Sequence, residues 1–81
     1  MRRLAQMSNI LPFLRGQAVF DPDVTRSMSV AFEDACLALR LPETAARERE
    51  AVATRIIELA RRGEQDAKRL CERVLREAGA A

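Results

Sequence analysis

Apolar residues recur every three to four positions through most of this chain, the spacing of helices that bury one side and wet the other. Val24, Met28, Ala31, Phe32, Ala35, Cys36 and Leu39 fall on one side of such a wheel. Ahead of them Asp21 reads as an N-cap, Pro22 suits the first helical position where its missing N–H costs nothing, and Asp23 faces the positive helix end. Phe20 sits where it can staple the first turn, and Pro42 stops the helix near Leu41. A second helix is predicted from Glu43 or Thr44, with Thr44 the better cap, to Arg62, and Gly63 supplies the left-handed residue beyond its end. Its buried stripe is Ala45, Val52, Ala53, Ile56, Leu59 and Ala60 with Ile57 at the edge, and Glu58 is placed to pair with Arg62 four residues on. A third helix follows Asp66 as N-cap, with Ala67, Leu70, Cys71, Val74, Leu75 and Ala78 apolar and Gly79 ending it.

Connections this short make consecutive helices neighbours. The predicted fold is all-α, a small three-helix bundle with a short, partly ordered N-terminal segment. The segment, residues 1–19, is set apart from the bundle, residues 20–81, because Arg2, Arg3 and Arg15 precede the first acidic residue, Asp21. Leu4, Met7, Leu11 and Leu14 recur there at helical spacing, but Pro12 and Gly16 interrupt the pattern. Met1 and Met7 are both readable as starts.

The first main helix is less polar on its outer side than a surface helix should be. Val30, Leu37 and Leu41 form a second apolar stripe beside Arg26, Glu33 and Arg40, and these six are the predicted partner-binding residues. A second copy of the chain, giving a homodimer or larger homo-oligomer, is the first partner to expect. Ile10, Leu11, Phe13 and Leu14 of the N-terminal segment are the other candidates to cover the stripe, in the same chain or in a second one.

Composition narrows the chemistry. The chain has 81 residues, 48% of them hydrophobic and 32% charged, enough for a single packed core and too apolar for disorder. There is no His or Tyr, and Lys68 is the only lysine, so no catalytic constellation, metal-ligand set or cofactor motif is formed and no small-molecule substrate is evident. Cys36 and Cys71 lie on apolar helix sides, outside any CxxC arrangement, and read as core thiols of a protein in the reducing cytoplasm.

A net charge of +2, with Arg and Glu interleaved, describes a solvated face and not a strongly basic protein. Nucleic-acid binding by Arg69, Arg73 and Arg76 is the alternative reading, since Gly63 between two helices invites a helix-turn-helix comparison. Leu59, Glu64 and Arg69 stand where that unit wants a small residue and two apolar ones. A further alternative is a membrane adaptor, with the N-terminal segment lying on an anionic surface.

The series Phe20, Asp21, Pro22, Met28, Ala31, Phe32 and Cys36, then Ile56, Ile57, Glu58, Leu59, Ala60, Gly63 and Asp66, resembles a group of small, uncharacterised alphaproteobacterial helical proteins. The resemblance spans residues 20–78 and implies a bacterial cytoplasmic origin; it brings no activity with it.

Overall fold

The structure, a computed structural model, describes residues 10–14 and 20–79. Four helices follow one another: the single turn α1 (Leu11–Leu14), then α2 (Pro22–Ala38), α3 (Ala46–Arg61) and α4 (Ala67–Glu77). The last three form the expected all-α three-helix bundle. Central to it is α2, packed most extensively on α4 and then on α3, while α3 and α4 close the third side.

The helix-forming logic holds best in the interior. Val24, Met28, Ala31, Phe32, Ala35 and Cys36 of α2 meet Val52, Ala53, Ile56, Ile57, Leu59 and Ala60 of α3 and Leu70 and Val74 of α4 in one core. Leu39, Cys71 and Leu75 pack at its margin half-buried, and Ala78 is exposed. Phe32 is the largest fully buried side chain. Its ring meets that of Phe13 at 5.4 Å between centroids, and the Arg49 guanidinium lies 5.1 Å from the ring centre. Arg49, which the charge pattern assigns to the solvated face, is therefore half-buried on an aromatic surface.

Helix ends depart from expectation in instructive ways. Asp66 caps α4 as predicted, its carboxylate accepting from the Arg69 N–H at 3.0 Å. Asp21 occupies the N-cap of α2 without a side-chain cap bond, so there the Pro22 start carries the signal alone. Thr44 does not cap α3. Pro42 to Ala45 close a turn, with the Ala45 N–H donating to the Pro42 carbonyl at 3.0 Å, and the helix starts two residues later behind Ala45. Glu58 pairs with Arg55 at 2.8 Å and not with Arg62, which has become the C-cap of α3.

α2 stops at Ala38, three residues short of the predicted end. The Arg40 N–H donates to the Leu37 carbonyl at 3.0 Å and the Leu41 N–H to the Cys36 carbonyl at 2.9 Å, the paired bonds of a Schellman cap. Gly63 closes α3 in the same way at φ 108, but after α2 the left-handed position is held by Arg40, at φ 59. The turn swings Leu41 inward, where it packs half-buried against the core.

The N-terminal segment contributes to the bundle itself. Ile10 is fully buried, its N–H 3.3 Å from the Ser29 hydroxyl, and α1 packs on α3. The expectation that Ile10 and Phe13 lie over the outer stripe of α2 is thus corrected: they fill the opposite, core-facing side. The readings of Leu4, Met7 and the segment's arginines, and of the Leu11 and Leu14 side chains, lie outside the described residues.

Candidate partner-binding surface

With the core closed, two large apolar side chains of α2 remain in solvent. Val30 is 44% exposed and Leu37 is 70% exposed. Seven residues apart, they lie within about 20° of the same side, some 10 Å apart along the axis, and that side is diametrically opposite the one carrying Val24, Met28 and Ala35. Of the remaining predicted residues, Arg26 and Arg40 are exposed and Glu33 is half-buried beside them. Leu41 does not join the group, because the Arg40 turn has carried it into the core margin. The stripe is therefore shorter than expected, two apolar residues with charges between and around them.

Spacing also reveals a member that sequence reading passed over. Asp23, Arg26, Val30, Glu33 and Leu37 follow one another along α2 at alternating intervals of three and four, the seam of a helix made to lie along another, and the exposed Arg40 stands just past the end of that line, in the turn that closes the helix. Asp23 is exposed, and its carboxylate meets Arg26 at 3.1 Å, with side chains 93% and 73% exposed, respectively. A pair so open to water contributes little and exchanges partners readily. Arg40 and Glu33 form no ion pair among the described residues.

Among the other charged groups, one cluster joins two helices. Arg55 on α3 forks onto Glu77 of α4, its Nη2 2.7 Å from Oε2 and its Nε on Oε1, and also holds Glu58. These hydrogen bonds push the Glu77 carboxyl below its ordinary range and the Arg55 guanidinium above its own. An open depression beside them is lined by Arg47, Glu50, Ala51, Thr54, Arg55 and Glu58, all from α3; one helix flank supplies no opposite wall for a small ligand. The alternative nucleic-acid residues Arg69, Arg73 and Arg76 share the exposed face of α4 with Glu72, and Arg73 reaches Glu64 at 3.8 Å. Glu64 is held by that contact in the α3–α4 turn.

The thiols are packing groups. Burial pushes the Cys36 thiol up, with Arg49 acting weakly against it; burial, then Asp34 and Glu72, does the same at Cys71. Neither favours the thiolate that redox or nucleophilic chemistry needs. Among the described residues no helix is long and apolar enough to cross a membrane. No protein-family model, curated protein or solved structure matches the chain.

Proposed function

We propose that this protein is a small helical interaction module of the bacterial cytoplasm that acts by pairing, as a homodimer, with a second copy of itself through the outer side of α2. The observation carrying this reading is the joint exposure of Val30 and Leu37 on one line of a helix whose opposite side is the core. Free thiols raised by burial agree with a reducing compartment.

The magnitudes make the association weak. Covering the exposed parts of both side chains in both copies returns about 10 kcal/mol at most, within the range of about 4 to 15 kcal/mol lost in rigid-body freedom on association. The apolar area is roughly 200 Å² a side, against about 800 Å² in stable complexes. A net of about 4 to 5.5 kcal/mol, left when the rigid-body cost lies in the lower half of its range, corresponds to a dissociation constant on the order of 0.1 to 1 mM, suited to contacts made at high local concentration. Leu37→Glu leaves the core untouched and should abolish the concentration-dependent rise in mass seen by light scattering of the wild type. An equal rise in the variant would remove the reading.

A second reading rests on the shared face of Arg69, Arg73 and Arg76. It requires duplex DNA binding that weakens steeply with salt, and a flat low-salt titration eliminates it.

A further inference from the structure

We infer that the second copy lies antiparallel along α2, in the register that sets Asp23 of each chain against Arg40 of the other; this rests on the α2 reading above. The order of charges along the seam selects the arrangement. Reading from the N-terminal end it runs negative at Asp23, positive at Arg26, apolar at Val30, negative at Glu33, apolar at Leu37 and positive at Arg40. A parallel pair aligned end to end sets each residue on its own copy, Asp23 on Asp23 and Arg26 on Arg26, so every charge meets its like. Reversed about a two-fold axis at the level of Ala31 and Phe32, the same series sets Asp23 on Arg40, Arg26 on Leu37 and Val30 on Glu33, each contact occurring twice.

No like charges then face each other, and the methylenes of Arg26 and Glu33 cover the two apolar residues. Each helix start lies beside its partner's helix end, and Asp23 and Arg40 carry the signs that those ends favour. A shift of one heptad in one direction sets Asp23 on Glu33. A shift in the other leaves Asp23 and Arg26 beyond the partner's helix. Only the central register uses the whole seam, and the Asp23 to Arg26 contact it rearranges is almost fully solvated.

Charge reversal in two separate chains tests the register. Asp23→Arg alone sets arginine on arginine at both ends, and Arg40→Asp alone sets carboxylate on carboxylate, so each should weaken self-association about tenfold or more in sedimentation velocity. Asp accepts the left-handed backbone of position 40, which keeps the α2 turn intact. Mixed one to one, the two chains present opposite charges at both ends and should associate as the wild type does. Should Asp23→Arg shorten α2 by circular dichroism, Arg40→Asp read against the wild type still decides, through loss or retention of association. Single variants that associate like the wild type, or a mixture that stays monomeric, overturn the register while Leu37→Glu continues to report on the α2 surface. A wild type that is monomeric at every concentration overturns both.

Discussion

Arg55 gathers two carboxylates, one from its own helix and one from α4, and so ties α3 to the last turn of α4. Because the Glu77 carboxyl is held below its ordinary value, it binds a proton more readily in the unfolded chain than in the folded one. Its contribution is therefore complete above the unfolded carboxyl value of about 4.3 and is lost as pH falls through the lower folded value. Thermal melting of the wild type should fall more steeply between about pH 5 and about pH 3 than that of Glu77→Gln, which has no such proton to bind. Parallel slopes would show that the fork does not hold in solution. None of this is legible in the sequence, where spacing pairs Glu58 with Arg62 and nothing singles out Glu77. A pairing 22 residues apart depends on how two helices cross, and periodicity carries no information about that. Arg40 was illegible for a related reason: glycine marks the left-handed turns after α3 and α4, but nothing marks the one after α2.

At the scale of elements, the three long helices were readable because the buried set of each obeys a single period and because Pro22, Gly63, Asp66 and Gly79 punctuate it. The short element was not. Pro12 and Gly16 argue against a long helix, but one turn is enough to carry Ile10 and Phe13 against Ser29 and Phe32. The sequence division at residue 19 thus separates a fully buried side chain from the core it completes. Ile10→Ala should cost about 2 to 4 kcal/mol in denaturant unfolding, the ordinary penalty for emptying a buried aliphatic site. A loss below about 0.5 kcal/mol, typical of surface positions, would mean that α1 is an appendage.

For the whole molecule the question is what becomes of Val30 and Leu37, the large apolar side chains that stand in solvent among the described residues. The exposed stripe on α2 was visible in the sequence as a second apolar line, and two of its three apolar members stand in solvent; Leu41 turned inward because the helix ended early. The remaining pair is too small for a permanent complex and too regularly spaced along a charged seam to resemble scattered surface residues. The most direct test follows backbone amide resonances of the wild type from about 0.05 to about 2 mM, spanning the expected dissociation constant. Concentration-dependent shifts are expected on the outer side of α2 alone, centred on Val30, Glu33 and Leu37 and reaching Asp23 and Arg40. Resonances that stay fixed over that range, or shifts centred on α4, would contradict pairing through α2.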